Sequence, residues 1–251
     1  GADVAATVRA LRSLGVEVAG EQVRSPGVDS WSAPPGPIDA GNSATTLRLL
    51  AGALAARPFT TTLGGDSSLM SRPMGRLVGP LAALGAVVEV GPEGRPPVTV
   101  GGAVLHGARV DIPEASAQVR TAVALASLQA EGPTLIDSPP GFRDHTERWL
   151  EAMGLGRRLS DTRFEVMPGP VPPAAYELPG DLSAAAFLLA AAALRPGAEV
   201  TVRRVTLNPG RSGFLDVPIS ALPEETGTPA LVLEGPQPGF WRIRELSLAT
   251  C

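Results

Sequence analysis

A chain of 251 residues with 44% hydrophobic and 18% charged content is long enough to bury one large core or two small ones, and reads as soluble and globular. A formal net charge of −4 supplies no basic field for a phosphate backbone, which argues against nucleic acid as a partner and requires any anion site to be local. The lone cysteine, Cys251, excludes an internal disulfide framework and a cysteine-based metal cluster and fits a reducing cytoplasm, and no signal-peptide pattern precedes the first polar residues.

All 21 residues counted as lysine or arginine are arginine, so no side chain can act as a lysine general acid or Schiff base. The longest apolar run, over 184–194, has eleven residues and falls short of the roughly 20 that a spanning helix needs, so no membrane partner is expected.

In chain order, residues 2–18 (ADVAATVRALRSLGVEV) predict a helix, a Leu-Gly stop and a strand. Residues 42–90 predict a helix over 45–55, a strand over 59–63, a polar loop over 64–71, an amphipathic helix over 73–84 and a strand over 86–90. The order recurs from Ser116, with helix 118–129, strand 134–137, loop 138–144, helix 146–153 and strand 163–167. A third copy opens at Ser183, with helix 184–194, strand 199–203 and loop 206–213. Helix starts at Thr45, Gln118 and Ala184 lie 73 and 66 residues apart, a spacing that suits a βαβ-containing unit rather than a short solenoid repeat. The first residues match the second half of a unit (LAALGAVVEV, 81–90), so the chain is expected to begin in mid-unit. At the other end GFLDV (213–217) opens a second helix that Pro218 breaks, and 218–251 shows no periodic pattern, which predicts a truncated or out-of-register terminus.

Several motifs fall at predicted helix starts. GNSATTLR (41–48) sets a glycine, an amide and hydroxyls where unpaired backbone N–H groups favour a carboxylate or phosphate; ordinary capping by Asn42 or Ser43 explains it equally. SAQVR (116–120) repeats the device in the next unit. RPMGR (72–76) places Arg72 before a proline at the first position of a helix, where a cation is electrostatically misplaced and hints at a bound anion. FRDHTER (142–148) sets Arg143 in the equivalent loop, while Arg148 has a sufficient partner in Asp144 at i,i+4. Asp144 and His145 are expected to cap rather than to catalyse, and His106 carries no signal. No metal-ligand spacing, P-loop or GxGxxG motif is present.

The ordered segments GNSATTLRLLAG, SSLMSRPMGRLVGPLAALGA, SAQVRTAVALA, FRDHTERWLEAMG, PGDLSAAAFLLAAAAL and LNPGRSGFLDV resemble 5-enolpyruvylshikimate-3-phosphate synthases over 1–217, with RDHTE matching the glyphosate-insensitive, class II-like members. The resemblance implies an α/β (α+β) inside-out barrel built from βαβαββ units: 1–179 as most of one domain, 180–217 as the start of a second, and 218–251 as a non-matching tail. It implies transfer of enolpyruvyl from phosphoenolpyruvate to shikimate 3-phosphate with release of phosphate, no cofactor or metal, and a cytoplasmic monomer. Ser116, Ala117, Gln118 and Arg143 resemble the family's shikimate 3-phosphate contacts; Asn42, Ala44, Thr45, Arg72 and Gln118 resemble its phosphoenolpyruvate contacts. Ala44 stands where most members have glycine, which implies weak binding of glyphosate. The family's Lys-Ser and Arg, its acid/base Asp and Glu and its later Lys and Arg match nothing here, so no catalytic residue is assigned, and weak ligand binding with little or no turnover is expected. A phosphate-ligand-binding fragment is the alternative. A UDP-sugar enolpyruvyl transferase ranks lower, because no internal cysteine is available as its acid.

Overall fold

In the computed structural model, which describes residues 1–141, 143–193, 199–206, 208 and 230–234, the first apolar-periodic stretch forms helix α1 (Ala2–Ser13). The chain then turns at Gly15, with φ +92°, into the antiparallel pair β1 (Glu17–Ala19) and β2 (Gln22–Arg24).

A complete unit follows. It runs β3 (Ile38–Asp39), α2 (Ala44–Leu54), β4 (Thr60–Gly64), the short α3 (Ser67–Met70), a 3-10 turn (Gly75–Leu77) leading into α4 (Val78–Ala82), β5 (Val88–Val90) and β6 (Val98–Gly101). Its sheet has the order β3-β4-β6-β5, with β3 parallel to β4 and the other pairs antiparallel. The next unit runs β7 (Arg109–Asp111), α5 (Ala117–Ser127), β8 (Thr134–Asp137), α6 (His145–Ala152), β9 (Gly156–Ser160) and β10 (Arg163–Val166). Its order, β7-β8-β10-β9, repeats the same pattern of one parallel and two antiparallel pairs. Both are βαβαββ units, and α1-β1-β2 has the order of the second half of one.

The helices lie inside. α2 buries Ala44, Thr46, Leu47, Leu50, Ala51, Gly52 and Leu54, and α5 buries Val119, Arg120, Ala122, Val123, Ala124, Ala126 and Ser127, far more than one stripe each. They touch at backbone level: a Cβ at Gly52 would stand 2.0 Å from the Ala122 carbonyl oxygen, so only glycine fits. The sheets form the outer layer, with β4 and β8 alternating buried and partly exposed positions. One apolar core runs from Ala10 to Val166.

The predicted helix over 73–84 is corrected. Pro73 and Met74 lie outside any helix, and a 3-10 turn and the five-residue α4 take its place. Gly75 and Gly79 weaken a continuous helix there, and Pro80 is tolerated because it falls in the first turn of α4, where its missing N–H has no intrahelical acceptor.

The chain divides by its contacts into Gly1–Val171 and Pro172–Cys251. In the second unit α7 (Leu182–Ala193) packs with β11 (Glu199–Arg203), which pairs in parallel with β12 (Ala230–Glu234). Leu182, Ala185, Leu189 and Val205 make its small core. Strand β12 was not predicted from the sequence. Most of the predicted loop 206–213, GFLDV with Pro218, and the rest of the tail lie outside the described residues.

Candidate functional site

At the start of α2, Ser43 is the cap: its backbone is extended and its Oγ accepts the Thr46 amide at 3.2 Å. Asn42 is thereby left exposed, and its Nδ2 donates to both Asp66 oxygens at 3.0 and 3.2 Å. Asp66 in turn accepts the Leu69 amide at 2.8 Å, capping α3. These bonds, the Leu69 amide first and the Asn42 amide second, hold the Asp66 carboxyl below the usual carboxylate range, with a smaller contribution from Arg72. The two loops are locked together, because Asp66 N donates to Gly41 O at 2.9 Å and a Cβ at Gly65 would meet that oxygen at 2.2 Å.

Arg72 donates to Asn42 Oδ1 and, at 3.4 Å, to Ser68 Oγ. Its expected position at a helix N-terminus is corrected: it follows the C-terminus of α3, where a cation is favourable. The electrostatic misplacement therefore does not exist, and Asn42 and Ser68 are what aim the guanidinium.

At the start of α5, Ser116 caps by accepting the Val119 amide at 3.4 Å, and Ala117 is the first helical residue. Gln118 reaches across 73 residues of sequence, its Nε2 donating to Thr45 Oγ1 at 2.6 Å. Its Oε1 accepts from Arg48 Nη1, while Arg48 Nη2 donates to Pro73 O at 3.0 Å. The carboxamide is thus fixed in orientation, with one Nε2 hydrogen committed to Thr45 and the other left for a ligand. The N-termini of α2 and α5 converge as their shared motif suggested.

Arg48 was missed by sequence reasoning, although its i+3 spacing from Thr45 puts both on one face of α2. Its affinity for its proton is lowered by burial first, then by Arg76 and Arg72, so three guanidinium groups crowd this end of the helix pair. Arg76 pairs with Glu114 at 2.8 Å, two residues ahead of Ser116. Two helix N-termini and clustered arginines thus lie close together in a chain of negative net charge. Ala44, the first residue of α2, is 6% exposed.

Arg143 is exposed in the loop entering α6. The expected cap by Asp144 is corrected: Asp144 holds the N-cap position without a side-chain cap bond and instead pairs with Arg148 at 3.0 Å, as the i,i+4 spacing predicted, and with Arg158 at 2.9 Å. His145 opens α6, and His106 pairs with Glu131 at 3.3 Å on the surface. Among the described residues no group of three or more His, Cys, Asp or Glu could hold a metal, and no helix is long and apolar enough to cross a membrane.

The model of the family described as EPSP synthase (3-phosphoshikimate 1-carboxyvinyltransferase) matches residues 1–227, past Val217 where the resemblance was expected to stop. A 3-phosphoshikimate 1-carboxyvinyltransferase of Alkalilimnicola ehrlichii is 43% identical over 224 residues, covering 86% of this chain and 50% of the relative. That of Bacillus licheniformis is 44% identical over 225 residues, covering 86% and 52%. The solved EPSP synthase of Acinetobacter baumannii superposes with a TM-score of 0.78 at 38% identity, covering 86% of this chain and 51% of that one. The chain spans about half the length of the relatives it matches.

Proposed function

This chain belongs to the EPSP synthase family, and from that premise we propose that it supplies an anion-binding part of a 3-phosphoshikimate 1-carboxyvinyltransferase. The reaction moves the enolpyruvyl group of phosphoenolpyruvate to the 5-hydroxyl of shikimate 3-phosphate and releases phosphate, with no metal or cofactor. The observation that supports this most is the Gln118 carboxamide, bound to both Thr45 and Arg48 and so positioned between two helix N-termini.

In this reading Ser116, Ala117, Gln118 and Arg143 hold shikimate 3-phosphate. The free backbone N–H groups at the start of α5 and the Arg143 guanidinium meet its phosphate. Asn42, Ala44, Thr45, Arg72 and Gln118 hold phosphoenolpyruvate, with Arg72 as the planar fork for an oxyanion. The free Nε2 hydrogen of Gln118 serves the junction of the two ligands. What these residues contribute to the reaction is binding and orientation, and no acid/base role is assigned to any of them. Residues 1–179 form most of one domain and 180–217 begin a second, in a monomer of the cytoplasm. Ala44 disfavours glyphosate, which is slightly longer than phosphoenolpyruvate, and this groups the chain with the glyphosate-insensitive class.

Calorimetric titration with each substrate tests the reading. Both bind the parent chain, and Gln118→Ala weakens both by about tenfold or more, the loss expected for a hydrogen bond to a charged group. Equal affinity in parent and variant would refute the assignment. Phosphate release from the two substrates together marks turnover; binding without release favours a chain that binds phosphate ligands and does not turn them over.

A further inference from the structure

Next to the anion cluster lies a buried ion pair that the proposed chemistry leaves unused. Arg120, two residues beyond Gln118 on α5, is 2% exposed and heads the fully buried side chains in size. Its Nε donates to Glu147 Oε1 at 2.5 Å and its Nη1 donates to Ser138 Oγ. Glu147 is 4% exposed in the first turn of α6, and Ser138 follows the last residue of β8. One guanidinium therefore holds both ends of the segment 139–146, which carries Arg143. Beside it the hydroxyls of Thr121 on α5 and Thr146 on α6 meet at 2.6 Å, a second tie between the same helices.

The surroundings do not favour a cation here. Burial lowers the affinity of Arg120 for its proton, and Arg158 works in the same direction, against Glu147 and Asp144. A buried ion pair is a poor source of net stability, because desolvation offsets the attraction, and in some proteins such a pair instead fixes the relative placement of elements. The two anchors also bracket the one loop whose arginine is to act together with the start of α5.

We propose that Arg120 is a positioning residue: by gripping Ser138 and Glu147 it sets the Arg143 loop against the N-terminus of α5, so that Arg143 and Ser116 to Gln118 meet one phosphate-bearing ligand. The inference rests on the reading above, in which these groups share shikimate 3-phosphate.

The test uses the full chain and three changes. Arg120→Met combined with Glu147→Leu removes both charges, so that neither is stranded in the core. Arg120→Lys keeps the charge without the two-pronged reach. Arg143→Ala removes the presented group. Melting temperature, amide hydrogen exchange over 139–146 and calorimetric affinity for shikimate 3-phosphate are measured for each.

The paired variant is expected to melt near the parent, to exchange faster over 139–146 and to bind about tenfold more weakly, as small misplacements of binding groups do. Arg120→Lys restores part of both, and it carries the comparison should the paired variant not fold. Adding Arg143→Ala to the paired variant brings no further loss, because Arg120 acts through Arg143. Unchanged exchange over 139–146 overturns the positioning role whatever the ligand result. Faster exchange at parental affinity overturns it too, as does a loss additive with that of Arg143→Ala. If the parent and Arg143→Ala bind equally well, the functional reading itself falls and takes the proposal with it.

Discussion

Gln118, Arg48 and Thr45 hold one another in the proposed binding surface. Arg48 is half-buried, with bonds to the Gln118 carboxamide and to Pro73 O, and its Nε lies buried without a partner. Replacing it with methionine keeps the stem and loses the fork, so Gln118 is released from its orientation. Arg48→Met is expected to weaken phosphoenolpyruvate binding by about tenfold, the loss of one charge-assisted hydrogen bond, as read by calorimetry. Ala44→Gly is expected to raise glyphosate affinity and leave phosphoenolpyruvate affinity near the parent's; equal glyphosate binding by the two proteins would refute the role of that methyl group. Asp66 carries the pH dependence of the loop. Its folded pKa is depressed, so its contribution is complete above the ordinary carboxylate range and is lost as pH falls through the lowered value. Melting curves in acid should therefore show a shallower decline for Asp66→Asn than for the parent. The motifs containing Asn42, Thr45, Ser116 and Gln118 were legible because each sits at a helix start. Arg72 was legible as a residue, but its environment was not, since a four-residue helix inside a polar loop leaves no periodic trace.

The helix pair α2 and α5 is the element on which the proposed site is built. At one end Gln118 ties the N-termini together. At the other, Arg57, 5% exposed, donates to Val28 O at 2.7 Å, to Asp29 at 2.8 Å and to Gln129 Oε1 at 2.8 Å, while Gln129 Nε2 donates to Ala53 O at 3.1 Å. Between them Gly52 lies against the Ala122 carbonyl. Helix propensity alone favours alanine over glycine by about 1 kcal/mol. Here the added methyl would collide with backbone, so Gly52→Ala is expected to destabilise by about 1–3 kcal/mol and to reduce substrate binding by spreading the N-termini; denaturant unfolding and calorimetry check both. Ser43→Ala, which removes only a cap, is expected to cost about 1 kcal/mol by the same unfolding measurement. The helices α1, α2, α5, α6 and α7 were legible from apolar periodicity. Strands β2, β3, β6, β7, β9 and β12, each two to five residues long, were not, because so short a run shows little alternation.

At the scale of the whole molecule, the core of Gly1–Val171 draws all its buried apolar residues, Ala10 through Val166, from that unit. A chain ending at Val171 is therefore expected to fold cooperatively and to melt near the parent's transition for that unit, as followed by calorimetric scanning; a broad, non-cooperative transition would refute it. The repeat determined much of this architecture in advance. Helix starts 73 residues apart, each with a polar cluster ahead of it and a Gly or Pro break behind, already specified two equivalent units, because local capping chemistry and helical period are written in contiguous residues. The family was legible there as well, through the resemblance carried by ordered motifs at the helix starts. Only the tertiary structure decided that Gln118 meets Thr45, that Arg48 joins them, that Arg72 is aimed by Asn42 rather than by a helix end, and that Arg120 grips the Arg143 loop from within. Each of these is a contact between residues 18 to 73 positions apart. Such contacts depend on how sheet register and helix packing bring distant segments together, and no local pattern of side chains encodes that distance.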